Sequence, residues 1–309
     1  MVLSAVQDRL APWQAWLFPR RMYLEIQDQA LTALALDGRS IAWCETLPLP
    51  EGTLVAGHPQ QVEALGDLMG DWLIERGYAG ARLQAVLPWA ASGWRWLQWP
   101  ASAPVQPLVD LVPPELGPEA FGAALEHLDL SLYPLEGAAE ALLMGARTDL
   151  LEAWIAVFAQ AGLVLDGLEA AGICCARAAT AAQASLVLCA EPHQCWLLLL
   201  RDGRPRWQWP LPGAAQRSEL MAALEPCVTY GGRLDRSALA STWGVVASAG
   251  CGASLEPLLA AIQSVAPAGV ELIDPVVSGD WSSSSERPGG VPSASLGVLW
   301  GLAMAERRP

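Results

Sequence analysis

The residues best suited to acid–base chemistry are a glutamate and a histidine in one short polar turn. Glu191 and His193 stand between an apolar run that ends at Ala190 and another that begins at Cys195. A carboxylate beside an imidazole can move a proton to or from a bound substrate. A solvated hairpin turn often has the same composition. We favour the turn and predict no catalytic residue.

The cysteines could in principle bind a metal, but their spacing argues against it. The chain has seven cysteines, with no CxxC pair and no cluster of Cys and His, whereas structural zinc sites combine such groups. The odd number, mostly inside apolar runs, is typical of reduced thiols in a cytoplasmic protein. We interpret Cys174, Cys175, Cys189 and Cys195 as small core residues, and we predict no metal.

Four tryptophans crowd one short segment, VLPWAASGWRWLQWP, at Trp89, Trp94, Trp96 and Trp99. In an alternating strand Trp94 and Trp96 share one face, while Leu97 and Trp99 share the other, so one aromatic face could remain uncovered. Aromatic residues near an arginine are typical of the core of protein interfaces. These tryptophans are therefore either a partner-binding surface or the core of their own small subdomain.

Composition narrows the class of protein. The 309 residues are enough for two domains, and a hydrophobic content of 53% with 16% charged residues is typical of a packed globular chain. The net charge is −14, and every basic residue is an arginine. Nucleic-acid binding needs a basic face that neutralises phosphates, so this balance argues against it.

The sequence contains no signal peptide and no apolar run of bilayer-spanning length. The first 21 residues nevertheless gather Leu10, Trp13, Trp16, Leu17 and Phe18 before two arginines. Such a segment is either an arm packed on the domain or a short interfacial helix.

An internal repeat organises the elements that must position these residues. Met22 to Pro50 and Ser185 to Pro212 each read as three strands, with Asp-Gly before the third strand and Pro-Leu-Pro at the end. Asp-Gly between alternating apolar runs is a strong hairpin signal. A three-strand meander at the head of each half indicates a duplicated fold.

Between the meanders, residues 58–75 have the apolar spacing of an amphipathic helix. Residues 82–88 read as a strand, with the alternating residues 94–99 as its neighbour. Residues 140–146, 149–161 and 163–168 read as strand, helix and strand. A helical crossover of this length favours parallel pairing of the two strands.

This order of elements resembles the duplicated actin-like, ribonuclease-H-like architecture, an α/β fold, here with an inserted small α+β subdomain. Four segments carry a closer resemblance: ALLMGARTDLLEAWIAVFAQAGLVLDGLEAAGICCARA, GVVASAGCGASLEPLLAAI, VELIDPVVSGDW and LGVLWGLAMAERR. By these segments the chain resembles the PilM family of the type IV pilus inner-membrane platform, as a divergent member.

The resemblance implies an N-terminal arm at 1–21 and a first actin-like domain at 22–81 and 135–180. An inserted partner-binding subdomain occupies 82–134, and a second actin-like domain occupies 181–309. It also implies a nucleotide cleft whose counterparts here are Glu25, Gln27, Asp28, Glu191, His193, Gly250 and Gly252.

That cleft departs from the pattern of nucleotide binders, which place glycines and backbone N–H groups around the phosphates. The first turn has no glycine and an extra acid at Asp28, and Pro192 in the second turn has no N–H. The chain also has no lysine. We therefore expect no cofactor, with ATP and Mg²⁺ as the alternative.

The function implied by the resemblance is a non-catalytic cytoplasmic scaffold, peripheral on the inner membrane. It would bind the cytoplasmic N-terminal tail of a PilN-like bitopic membrane protein, in a groove between the inserted subdomain and the first domain. An acidic surface would suit a basic tail. Contact with the pilus motor ATPases is also implied. Membrane contact would be indirect or through the N-terminal arm. The alternative is a nucleotide-binding actin-like ATPase or sugar kinase.

Overall fold

The computed structural model describes residues 20–27, 29–99, 108–135, 139–191, 193–234, 241–266, 268–278, 281–283 and 291–307. The predicted N-terminal arm lies outside these residues apart from Arg20 and Arg21. The chain forms two compact units. In the described part, unit 1 contains Arg20, Leu49–Leu83 and Leu87–Asp166, and unit 2 contains Arg21–Pro48, Gln84–Val86 and the residues from Gly167 onward.

The strands in chain order are β1 (Arg21–Gln27), β2 (Ala30–Asp37), β3 (Ser40–Pro48), β4 (Leu54–Val55), β5 (His58–Pro59), β6 (Arg82–Leu87), β7 (Ser92–Gln98), β8 (Leu128–Pro134), β9 (Glu140–Arg147), β10 (Val164–Ala170), β11 (Leu186–Ala190), β12 (Gln194–Arg201), β13 (Arg204–Pro212), β14 (Trp243–Ala247), β15 (Val270–Leu272) and β16 (Ser282–Ser283). The α-helices are α1 (Val62–Glu75), α2 (Leu108–Leu111), α3 (Leu116–Phe121), α4 (Thr148–Gln160), α5 (Ala171–Ala181), α6 (Arg217–Leu234), α7 (Leu255–Gln263) and α8 (Gly297–Ala303).

The two predicted meanders are confirmed. Strands β1, β2 and β3 pair antiparallel in succession, and so do β11, β12 and β13. Both second hairpins carry a register shift just before the turn, at Ala35/Leu36 and at Leu199/Leu200. The repeat visible in the sequence is therefore a repeat of structure, including its irregularity.

The two hairpin turns use their Asp-Gly pairs differently. In the second meander Asp202 and Gly203 form the loop with φ of +52° and +71°, the sign pattern of a type I′ turn. In the first meander Asp37 still pairs with Ser40, so the loop is Gly38–Arg39, with φ of +58° at Gly38. Positive φ at the first position alone is the pattern of a type II′ turn.

The meanders belong to two larger sheets. The first lies in a six-stranded sheet of order β10-β6-β1-β2-β3-β16, and the second in a five-stranded sheet of order β13-β12-β11-β14-β15. Strands β14 and β15 join the second meander in parallel. Within unit 2, helix α8 packs on both β1 and β14, and α5 packs on β11 and β13.

Helices α5 and α8 pack directly on each other, and they do so at a glycine. A Cβ atom on Gly301 would overlap the carbonyl oxygen of Cys174 in α5. Close approach of two helices requires a residue without a side chain at such a crossing. Every residue of α8 is buried, including Trp300, so this pair of helices forms the centre of unit 2.

In unit 1, helices α1 and α4 pack together. Trp154 of α4 is fully buried, and its indole N–H donates a hydrogen bond of 2.8 Å to the carbonyl of Gly57. Arg82 binds Asp166 through both its Nε and an Nη atom. A separate three-stranded sheet of order β7-β9-β8 completes the unit.

Two predicted strand pairings are wrong. Strand β7 lies in the three-stranded sheet, whereas β6 lies in the six-stranded sheet, so residues 94–99 are not the neighbour of 82–88. Strands β9 and β10 also lie in different sheets. A helix between two strands allows parallel pairing but does not compel it, because β9 instead finds antiparallel partners on both sides in β7 and β8.

Replacing Gly301 by alanine should destabilise the protein by about 2 kcal/mol, because overpacking typically costs 1–3 kcal/mol and exceeds the helix-propensity gain of about 1 kcal/mol. The overlapping atom is backbone oxygen, which a side-chain rotation cannot relieve. Urea unfolding measures the effect as a lower midpoint.

Gly167→Ala is the matched control, because a Cβ there meets no atom within 4 Å. Equal midpoints for the two variants would show that α5 and α8 can separate at no cost.

Candidate functional site

The predicted nucleotide-cleft residues come from three elements of unit 2. Glu25 and Gln27 lie at the end of β1, Glu191 and His193 between β11 and β12, and Gly250 and Gly252 in a short 3₁₀ helix, Ala249–Ser254. The Ala249 backbone N–H lowers the pKa of Glu25 in part, and the charge of Glu191 contributes to raising the pKa of the Cys251 thiol, so the three elements interact. Asp28 and Pro192 lie outside the described residues, and a nucleotide-binding role for the set stays a prediction.

Glu25 is the most unusual of these side chains. It is only 2% exposed, and neither carboxylate oxygen has a partner at full hydrogen-bond geometry among the described residues. Burial raises the pKa of Glu25 to about 7, while weaker interactions with Gln27 and the Ala249 N–H lower it in part. An acid that is desolvated without a cation beside it favours its neutral form.

Strand register explains why Glu25 points inward. It stands opposite Thr32 of β2, which stands opposite Thr46 of β3, and the two threonine hydroxyls are 2.9 Å apart. Alternation along β1 puts Glu25 on the same face as Tyr23 and Gln27. One polar row thus crosses the otherwise apolar strands of the first meander.

Several cysteines lie near Glu25 and form part of the core. All seven cysteines are buried and none forms a disulfide, which confirms the packing role predicted for Cys174, Cys175, Cys189 and Cys195. Burial raises the pKa of each of these four thiols and of Cys251. A protonated buried thiol is a poor nucleophile and a poor metal ligand. In the described part of the chain no group of three or more Cys, His, Asp or Glu is arranged to bind a metal.

Glu191 and His193 are positioned as parts of a turn. The Glu191 carbonyl accepts hydrogen bonds from the Ala214 N–H at 3.0 Å and from the Cys195 thiol at 3.6 Å. The His193 side chain is exposed. The backbone of this turn therefore ties β11, β12 and the residues after β13 together.

The predicted partner-binding tryptophans lie on and beside β7. Register places Trp94 opposite Met144 and Trp96 opposite Leu142 in β9, and those two residues stand opposite Ser131 and Tyr133 in β8. We call this side of the sheet the Trp96–Tyr133 face. It consists of Trp94, Trp96, Ser131, Tyr133, Leu142 and Met144.

The other side of the same sheet is a closed core. Leu97, Leu130, Leu132 and Leu143 pack there with residues of α2, α3 and the turn that precedes β8. Phe121 of α3 lies over Gly93 and Gly145, where a Cβ would come within 2.9 Å of its ring. Helices α2 and α3 therefore lie on this side of the sheet, and the Trp96–Tyr133 face is on the other side.

The four tryptophans differ in exposure. Trp89 and Trp94 are buried, whereas Trp96 and Trp99 are half-buried. Trp89 and Trp94 therefore belong to the packing of unit 1, and Trp96 is the tryptophan that the face can present. Tyr133, which is 53% exposed, is a member that we did not single out from the sequence.

Charge on this face has one sign. Asp129 of β8 and Glu140 of β9 lie on the same side as Trp96 by strand alternation, and the three strands contribute no basic residue to that side. The alternation in LDLSLYP, with leucines at 128, 130 and 132, predicts that Asp129 and Tyr133 share the opposite face. The signal for both residues was therefore present in the sequence.

No family model and no curated protein matches the chain. Several solved structures do match the chain. One described as the PilM-PilN type IV pilus biogenesis complex matches with a TM-score of 0.68 and 20% identity, over 94% of this chain and 99% of that one. The cytoplasmic domain of EpsL, an inner-membrane component of the type II secretion system of Vibrio cholerae, matches with a TM-score of 0.50 and 10% identity, over 93% and 95%.

These matches establish the fold. The chain has the actin-like α/β fold, and the predicted resemblance to PilM is confirmed at the level of the fold, with the low identity of a divergent sequence. Within the described residues, none of the helices has both the length and the apolar character needed to cross a bilayer.

Replacing Glu25 by glutamine should make stability less dependent on pH. The folded pKa of Glu25 is raised from 4.5 to about 7, so the folded state binds the proton more tightly than the unfolded state does. The contribution of Glu25 to the free energy of unfolding is therefore favourable at low pH and is lost as pH rises from about 4.5 to about 7. The full loss is about 3 kcal/mol.

Urea unfolding at pH 5 and pH 8 measures how much the free energy of unfolding changes with pH. We expect the wild-type protein to lose more stability between the two pH values than Glu25→Gln does. Parallel losses in the two proteins would show that Glu25 is solvated or paired in solution.

Proposed function

We propose that this protein is a non-catalytic scaffold of a type IV pilus assembly platform, or of a related secretion machine, held at the cytoplasmic face of the inner membrane. The observation that carries the proposal is the fold likeness to the PilM-PilN structure over nearly the whole of both chains. The similar EpsL domain comes from a secretion system, which supports the wider class of machine.

The partner that we infer is the cytoplasmic tail of a PilN-like membrane protein. The Trp96–Tyr133 face offers such a tail an aromatic and aliphatic surface on a rigid sheet. Trp96 is half-buried, Tyr133 is exposed, and Met144 in the adjacent row is partly exposed, while Leu142 between Trp96 and Tyr133 is buried. Hot spots of peptide interfaces are commonly aromatic side chains set in such surfaces.

Charge complementarity favours a basic tail. Asp129 and Glu140 lie near opposite ends of the Trp96–Tyr133 face. The chain as a whole carries a net charge of −14. Complementary potentials raise the rate of association and orient the partner, so a tail with arginines or lysines flanking an apolar residue fits this face.

The cleft in unit 2 supports a role without catalysis. Phosphoryl transfer relies on cations and N–H groups that clamp the γ-phosphate. Glu25 instead adds a buried acid, and the chain has no lysine. We infer that the residues present do not fit a magnesium-bound triphosphate. Contact with the pilus motor ATPases rests on the family resemblance alone.

Removing the exposed aromatic side chains should weaken tail binding. We expect Trp96→Ala combined with Tyr133→Ala to lower the affinity for a labelled PilN-type peptide at least tenfold, since interface hot spots contribute about 2 kcal/mol or more. Fluorescence anisotropy measures the affinity. Asp129→Asn should weaken it less, and added salt should reduce the difference.

Tyr230→Ala is the matched control, because Tyr230 is a similarly exposed tyrosine in unit 2. If the double variant binds the peptide as tightly as wild type and unfolds at the same urea concentration, the tail does not use this face.

Millimolar Mg-ATP should leave the melting temperature unchanged. A ligand that binds the folded state raises the melting temperature by mass action, so a scaffold with a lost nucleotide site should not respond. Thermal shift with and without Mg-ATP measures this, and the PilN-type peptide serves as the positive control. A clear rise with Mg-ATP would instead favour a nucleotide-binding ATPase or kinase.

A further inference from the structure

A second aromatic cluster lies in unit 2, on the outer strand of the five-stranded sheet. The rings of Trp207 and Trp209 in β13 and Tyr230 in α6 lie within 5.4–6.4 Å of one another, measured between centroids. Trp207 packs against the core of the unit. Trp209 is 41% exposed and Tyr230 is 44% exposed, so a large part of the cluster faces solvent.

Arginines border this cluster. Arg204 stands opposite Arg201 across the β12–β13 hairpin, and alternation from Leu197 and Leu199 puts Arg201 on the same side of the sheet as Trp207 and Trp209. Arg233 follows Tyr230 by three residues on α6, so the two share a helix face. We call this set the Arg–aromatic surface; its members are Arg201, Arg204, Trp207, Trp209, Tyr230 and Arg233.

The three arginines are exposed, and among the described residues none of them forms an ion pair with an acid. Like charges directly opposite on a hairpin are unfavourable, yet Arg201 and Arg204 occupy such positions. The nearest acids in sequence are Asp202 in the turn and Asp235, two residues after Arg233. The surface thus carries three arginines against these two acids, in a chain whose net charge is −14.

The edge of β13 is poorly suited to capturing an extended peptide. The strand has one neighbour, β12, and contains Pro205, Pro210 and Pro212. Proline has no N–H to donate to an added strand, and it commonly protects sheet edges. The surface therefore offers side chains rather than backbone hydrogen bonds to a partner.

We propose that the Arg–aromatic surface docks unit 2 on an anionic lipid bilayer. Trp and Tyr rings favour the headgroup level of a membrane, where an apolar ring and a polar N–H or O–H are both accommodated. Arginines beside them are attracted to anionic headgroups. The acidic remainder of the chain is repelled by the same headgroups, so this surface fixes which side of unit 2 faces the membrane.

This docking is independent of the tail-binding proposal. It uses residues of unit 2, whereas the Trp96–Tyr133 face belongs to unit 1. A scaffold that holds a short cytoplasmic tail must work close to the bilayer, and a direct lipid contact would supply that proximity.

The test is flotation of the full-length protein with vesicles of phosphatidylglycerol and phosphatidylethanolamine in equal parts, against vesicles of phosphatidylcholine. We expect binding to the anionic vesicles only, and weaker binding as salt rises. Trp209→Ala combined with Tyr230→Ala should lower the partition at least tenfold. Arg204→Gln and Arg233→Gln should each lower it about fivefold.

Tyr133→Ala is the matched control. It should float like wild type and lose peptide binding, while Tyr230→Ala should do the reverse, so failure of one proposal is separable from failure of the other. The arginine variants alter only exposed side chains and keep the test valid if the aromatic variant unfolds.

Several results would overturn lipid docking: no flotation of the wild-type protein at low salt, equal binding to phosphatidylcholine, or equal flotation of all variants. Self-association that depends on Trp209 and Tyr230, without flotation, would identify the surface as an interface between copies and would also overturn it.

Discussion

The contact between helices α5 and α8 is the constraint on which the arrangement of unit 2 depends. The absent side chain of Gly301 lets α8 lie against the Cys174 backbone. Helix α8 also packs on β1 and on β14, so it links strands of both sheets. Small and fully buried residues along α5, including Cys174, Cys175, Ala178 and Ala179, allow the same close packing. Two of the predicted cleft residues, Glu25 in β1 and Glu191 after β11, belong to or follow strands that pack on α8 and α5 respectively.

The residues that we predict to line a nucleotide cleft lie in an actin-like fold, but the acid among them at Glu25 is buried. Glu25 is buried where charge is costly, and the thiols nearby are protonated because they are buried. We infer that such groups do not attract a triphosphate, because neither a protonated thiol nor a carboxyl group offers it positive charge. The same burial makes them contribute to packing, which fits the non-catalytic scaffold that we propose.

Two surfaces of opposite character then divide the binding roles that we propose. The Trp96–Tyr133 face joins aromatic side chains to Asp129 and Glu140, so it favours a basic peptide. The Arg–aromatic surface joins aromatic side chains to arginines that form no ion pair with a described residue, so it favours the anionic surface of a bilayer. In both cases the aromatic ring supplies contact area and the neighbouring charge selects the partner.

The sequence by itself determined the local structure: the two meanders, their Asp-Gly turns, the main helices and the cysteine packing all follow from short-range periodicity and turn chemistry. It also indicated the fold through the order of segments. Tertiary structure decided which strands pair across long distances, so β7 paired with β9 rather than with β6, and β9 did not pair with β10. It also decided exposure: alternation cannot say which face a helix covers, so only packing showed that Trp94 is buried and that Tyr133 and Trp209 are not.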